Sequence, residues 1–379
     1  METIDVDEIP IIDQHCHGFY RRQQPDDLTG WHRHFTESAD PSMLGELASS
    51  SLSYARVVRR MAEFFDCPPT EEAILLARSR QAPMDLIQTL LRAARIDALV
   101  IDTGYPAVDQ LIPNREIGEL GACRVVELLR LEILMQQLIM LYDQLSEVIL
   151  ALEAALRDIR GSGYAGLKSI VAYRTGLNIG WWDRSQAEEA FALARKSIAR
   201  GSLRLAHKPL LDTLLHIAFR EAARQEVPVQ FHTGYGDTDV DLLLANPLYL
   251  RPVLEHQPYR GMTVVLLHEC YPYTREGAYL AAVYPQVFLD LSYGIPFLSY
   301  TEMASFTRAA VGVAPLLKLV YSSDAVGIPE LHWASTLDGR RILGQVLGEA
   351  VACGDLTPAR AEAGARAILH DTAARLYRL

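Results

Sequence analysis

The chain reads as an α/β protein, a (β/α)8 barrel of TIM type with a helical insertion after its first strand, and three observations predict this. Eight short apolar, β-rich runs can be counted, at 9–15, 97–103, 122–128, 164–171, 227–232, 262–268, 286–292 and 318–323. Amphipathic stretches of helical length lie between the later ones, and 379 residues are enough for eight such units. Alternating strand and helix implies a parallel sheet covered by helices on its outer side, and eight repeats close it. The alternative is an open doubly wound sheet, but no G-x-G-x-x-G pattern follows an early strand.

Taken in order, the first run ends in IPIIDQHCHG and is followed by far more chain than a βα loop needs. Helix-like segments at 42–66, 71–80 and 84–95 fill the gap, so residues from about 19 to 95 form an insertion within one catalytic domain spanning 1–379. Cys67-Pro68-Pro69-Thr70 reads as a loop, and Glu71 and Glu72 as the acidic first turn of a helix. Barrel active sites lie at the carboxyl ends of strands, so this insert is placed beside the site, as a lid or a homo-oligomer contact. Later, Leu138, Leu141, Leu145, Val148, Leu152, Leu156 and Ile159 recur at helical spacing between the third and fourth strands.

Composition narrows the function. The net charge of −11 argues against a nucleic-acid partner, which needs clustered Lys and Arg. No run approaches the roughly 18 apolar residues of a membrane span, and METIDVDEIP lacks a basic-then-apolar leader, so a cytoplasmic protein is expected. The five cysteines are scattered without C-x-x-C spacing, which fits reduced thiols.

The chemistry is concentrated at strand ends. His15 and His17 stand at i and i+2 on the first strand, where they face the same side and can converge on one ion. Lys168 lies on the fourth strand, and His232, His268 and Asp324 end the fifth, sixth and eighth. A single histidine on an apolar strand is more often a satisfied core residue, but ligand-type residues at so many strand ends of one barrel point to a metal centre.

This set resembles the amidohydrolase superfamily, with H-x-H on strand one, Lys on strand four, His on strands five and six and Asp on strand eight. QFHTGYGDTDVDLLLANP and LLHECYPYTREGAYLAAVYPQVFLDLSYG are similar, more narrowly, to the amidohydrolase-type domain of FluG-like proteins. There it is joined to a glutamine-synthetase-like domain, of which these residues show no counterpart. The resemblance implies that His15, His17 and His232 bind a divalent ion, zinc, with Asp324 as a further ligand and proton acceptor. His268 either completes a second metal site or polarises the substrate carbonyl. Lys168 is either a carbamylated bridge between two ions or a packing or substrate-binding residue.

Other residues are candidates for holding a small, carboxylate-bearing substrate. Arg130 and Glu132 follow the third strand, where an exposed ion pair is the plainer interpretation. Tyr173 and Arg174 follow Lys168, and Tyr271 and Arg275 follow His268; an arginine fork suits a carboxylate. His32 and His34 lie in the insert, where a surface or lid role is expected. Cys16 should face away from its histidine neighbours, and Cys270 shares the alternation phase of His268 and could line the pocket. The function expected is hydrolysis of a C–N bond, an amide or γ-glutamyl-type amide, by metal-activated water. The alternatives are a zinc-dependent decarboxylase or C–C lyase on the same site, and a non-catalytic regulatory module.

Overall fold

The computed structural model describes residues 3–23, 25, 27–198 and 203–379. Eight strands, β1 (Ile11–Cys16), β2 (Ile96–Asp102), β3 (Arg124–Arg130), β4 (Tyr164–Ser169), β5 (Val229–Phe231), β6 (Val264–Leu266), β7 (Val287–Ser292) and β8 (Leu319–Ser322), overlap the eight predicted runs one for one. They form a single sheet in sequence order, and each strand pairs parallel with the next. The barrel is nearly closed. At the seam the Asp324 N–H donates to the His15 carbonyl at 3.0 Å and the His17 N–H to the Ala325 carbonyl at 2.9 Å. The Asp13 carboxylate accepts from the Ser323 N–H at 2.9 Å across the same seam.

Helices form the outer ring, among them Lys208–Gln225, Thr274–Val283, Tyr300–Val311 and Pro329–Ala352. Their buried faces, including Leu211, Leu214, Ala278, Phe306 and Leu347, pack in one core with outward residues of the strands such as Ile11, Leu99, Leu167 and Val229. A second cluster lies inside the barrel, where Ile12, Ala98, Val100 and Leu128 meet Ala373 and Tyr377 of the terminal helix Thr372–Tyr377.

One irregularity positions the site. Between the pairs Asp13↔Leu99 and Cys16↔Ile101, β1 spends one more residue than β2. Without this bulge, alternation from the inward Ile12 and Gln14 would turn Cys16 inward. With it, Cys16 joins the outer core and His15 and His17 point to the barrel mouth.

The insert contains helices Leu28–His32, Leu52–Phe65, Glu71–Ser79 and Pro83–Ala93. The continuous helix expected over 42–66 is broken: a short turn, Met43–Leu47, has Gly45 at ψ −126, and Ser51 then caps Leu52–Phe65 by accepting from the Tyr54 N–H. Likewise the periodic run 138–159 divides into Leu131–Leu141 and Leu145–Ala155, because the Glu147 carboxylate accepts from the Gln144 N–H at 3.1 Å and starts a new helix. Buried ion pairs dock the insert on the helix after β8, Arg78 on Glu330 at 2.5 Å and Arg60 on Asp338 at 2.6 Å. His32 is buried inside the insert rather than on its surface, with one ring nitrogen 2.6 Å from Glu71 and the other 2.8 Å from the Leu44 carbonyl. Among the described residues no helix is long and apolar enough to cross a membrane.

Candidate metal centre and active site

The cluster is assembled from strand ends, and in two places the backbone is forced to deliver it. Asp324 has φ +51, and His268, Glu269 and Cys270 follow one another at φ +60, +48 and +56, a conformation costly for residues with a Cβ. The Asp290 carboxylate holds this turn by accepting from the His268 N–H at 2.9 Å. Because three left-handed residues end the strand alternation, Cys270 does not share the pocket with His268; it is buried and accepts from the Thr233 hydroxyl at 3.2 Å.

The Asp324 carboxylate is the centre of the group. Its Oδ1 lies 3.3 Å from His15 Nε2 and 3.5 Å from His17 Nε2, and its Oδ2 lies 3.3 Å from His268 Nδ1 and accepts from the Tyr235 hydroxyl at 3.0 Å. His17 Nδ1 is 2.8 Å from the Tyr105 carbonyl and His232 Nε2 is 2.7 Å from the Tyr235 carbonyl. A carbonyl only accepts, so both of these nitrogens carry the proton. His232 Nδ1 is then an acceptor, and His268 Nε2, 3.0 Å away, donates to it. The lone pairs of His17 Nε2 and His268 Nδ1 therefore face a carboxylate: acceptor opposes acceptor, as in a site shaped for a cation. Among the described residues His15 Nδ1 is buried without a hydrogen-bond partner, and Lys168 Nζ sits 3.4 Å from His15 Nε2.

The protonation states agree. Burial, and then the nearby Lys168 amine, push His15 down to about 4, and burial holds His232 and His268 well below the ordinary imidazole value. Burial opposes ionisation of Asp324, but positive charge or an N–H presented by His268, His15 and His17 outweighs it and holds the carboxyl well below its usual range, the same demand for positive charge that a bound cation would meet. Neutral imidazoles around an ionised carboxylate are what a divalent ion requires. His15, His17 and Asp324 form a donor set whose ligand atoms all lie within 4.8 Å of one another. His232, a ligand by resemblance, has one nitrogen on the Tyr235 carbonyl and the other on His268.

A cavity of about 380 Å³ opens over the cluster, lined also by Arg130, Tyr173, Arg174, Arg204, Glu37 and Asp237. A larger cleft of about 710 Å³ beside Trp333 and the amino-terminal segment has no such donor set, so chemistry rather than size selects the site. Arg130 does not pair with Glu132. Its Nε lies 3.0 Å from Asp102 Oδ2 at the end of β2, and its stem crosses Gly104, where any Cβ would come within 2.6 Å of it. Glu132 is buried behind the wall and accepts from the Ser169 hydroxyl at 2.7 Å and the Ile170 N–H at 3.0 Å. Tyr271 and the exposed Arg275 do not line the cavity. Sequence reasoning missed Glu37, Tyr105, Arg204 and Tyr235. Only Tyr235, three residues beyond His232, carried a positional signal.

An eight-stranded parallel barrel with histidines and an aspartate at its strand ends defines the amidohydrolase superfamily, a class of metal-dependent enzymes. The chain belongs to the amidohydrolase family, whose model matches residues 150–379. It is 35% identical over 222 residues to the FluG protein of Emericella nidulans; the match covers 56% of this chain and 25% of that protein, so the chain spans only about a quarter of its relative's length. Among solved structures it is similar to a protein of Lactobacillus casei described as a metal-dependent hydrolase, at 28% identity and a TM-score of 0.86 over 99% of this chain and 98% of the other. A uronate isomerase of Thermotoga maritima shares the fold at 15% identity, with a TM-score of 0.68 over 98% and 95% of the two chains.

Proposed function

We propose that the chain is a metal-dependent hydrolase of C–N bonds, acting on an amide or γ-glutamyl-type amide. The observation that carries this is the pair of imidazole lone pairs, of His17 and His268, directed at the Asp324 carboxylate. His15, His17 and Asp324 would hold a divalent ion, proposed as zinc, which supplies Lewis acidity and lowers the pKa of water towards about 7. Asp324 takes the proton of the attacking water at Oδ2 and returns it to the leaving nitrogen. Tyr235, whose phenol burial and Asp324 push far up, stays protonated and steadies that oxygen as a donor. His232 fixes the ring of His268 through their 3.0 Å contact, so that the His268 Nδ1 lone pair stays directed at the cluster, as a further ligand needs. Lys168, which burial pushes down to about 8, supplies an amine beside His15 that is more readily deprotonated than an exposed lysine. The segment 19–95 belongs to the same catalytic domain and shapes substrate access, since Glu37 reaches the cavity wall.

The test is product analysis with the zinc-loaded full chain. Release of an amine from a γ-glutamyl amide, with the matching carboxylate, supports the proposal. Loss of carbon dioxide from a carboxylated substrate without C–N cleavage overturns it in favour of the lyase.

A further inference from the structure

A small cavity whose charges are not all cancelled internally says what its occupant must carry. Outside the metal cluster, Arg130, Arg174, Arg204, Glu37, Asp237 and Asp239 face this one. Arg130 is held by Asp102, and Arg204 by Asp239 at 2.5 Å and the Tyr173 carbonyl at 3.0 Å. Arg174 is different: among the described residues its guanidinium has no hydrogen bond or ion pair, and its Nε is buried without a partner. On the acidic side, among the described residues the Asp237 carboxylate accepts only from the Asp239 N–H at 2.8 Å, a local turn, and the Glu37 carboxylate has no partner.

The unanswered charges belong to different neighbourhoods. Arg174, just after β4, feels Arg204, Glu132, Arg130 and Asp239. Glu37, contributed by the insert, feels Asp324 and Asp237. We propose that the cavity is built for a zwitterion, a small amide bearing both a carboxylate, received by Arg174, and an ammonium, received between Glu37 and Asp237. The planar guanidinium offers two parallel donors to a carboxylate, while an ammonium needs acceptors, which the carboxylates of Glu37 and Asp237 supply. Burial, then Asp324 and Asp237, push the Glu37 carboxyl up to about 7, and a cation bound there relieves the repulsion. The volume of about 380 Å³ lies at the small end of the roughly 300–1,000 Å³ typical of ligand pockets, in keeping with an amino-acid amide. The amide rests on the hydrolase proposal; the two-ended recognition of charge does not.

The test is calorimetric titration of the zinc-loaded full chain with three probes on one skeleton: γ-glutamyl methylamide, glutaric acid monomethylamide, which lacks the ammonium, and 4-aminobutanoic acid methylamide, which lacks the carboxylate. Each deletion should weaken binding about tenfold or more, since each removes a charge-assisted hydrogen bond. Glu37→Gln should weaken the zwitterion and the ammonium probe and spare the carboxylate probe; Arg174→Gln should do the reverse. Equal binding of all three, binding of none, or a Glu37→Gln protein that loses the carboxylate probe as much as the zwitterion would overturn the inference. Preferred binding of the zwitterion without cleavage would sustain it while removing the hydrolase proposal. Cleavage of an uncharged amide with equal probe binding would do the opposite.

Discussion

Two layers of the barrel interior are both buried and both polar, yet they are built on opposite terms. In the lower layer Gln14, Gln230, Tyr377 and Asp290 are linked donor to acceptor, with only Gln230 Oε1 left without a partner among the described residues: the Gln14 amide donates to Asp290 at 3.0 Å, and the Gln230 amide and the Tyr377 hydroxyl donate to Gln14 Oε1 at 3.0 and 2.7 Å. In the upper layer, lone pairs of His17 and His268 face the Asp324 carboxylate. Donors matched to acceptors hold a fold together; acceptors opposed to acceptors wait for a cation. The difference separates a structural polar network from one proposed as functional without reference to residue type.

The largest effect expected from this contrast is on turnover. Asp324→Asn keeps the size and one oxygen donor but cannot take a proton, so kcat should fall by about 10²- to 10⁴-fold with the circular dichroism spectrum retained. Near-normal turnover at full metal occupancy would remove Asp324 from the proton path. Chelation should come next: stripping the ion restores the repulsion in the upper layer, and the melting temperature should drop and recover on adding zinc. An unchanged melting curve would mean that the cluster is not a metal site. In the lower layer, Tyr377→Phe leaves the Gln230 amide and Gln14 Oε1 short of a partner. Urea unfolding should show a loss of about 1–3 kcal/mol, while kcat stays within about twofold. Loss of metal by this variant would show that the two layers are one unit.

The smallest effect concerns Lys318, which precedes β8 with its ammonium 4.1 Å above the Phe288 ring. Burial, then Arg375, push it down to about 8, so the folded state releases this proton earlier than the unfolded chain does. Its contribution to stability therefore rises with pH between about 8 and its ordinary value of 10.5. Lys318→Met should flatten the pH dependence of the denaturation midpoint in that window, and identical slopes would refute the assignment.

Much of this was legible in the sequence, for a physical reason. Parallel strands covered on both sides read as continuous apolar runs, so a histidine or aspartate at the end of one stands out, as His232 and Asp324 do. What was not legible depends on backbone geometry or on loops. Tyr105 acts on His17 through its carbonyl, which every residue possesses. Glu37 comes from a stretch with no periodicity. The left-handed turn at His268–Cys270 overrides the alternation that would have brought Cys270 into the pocket, and Glu132 is indistinguishable in sequence from an exposed acid although it is fully buried.

The central claim is that the upper layer is a metal centre, and elemental analysis of the purified full chain beside His15→Ala tests it most directly. The wild type should carry at least about one divalent ion per chain, and His15→Ala should lose it while keeping its fold, because one direct ligand is gone. A wild-type protein that folds, binds no ion after incubation with zinc and matches His15→Ala in metal content would contradict the account.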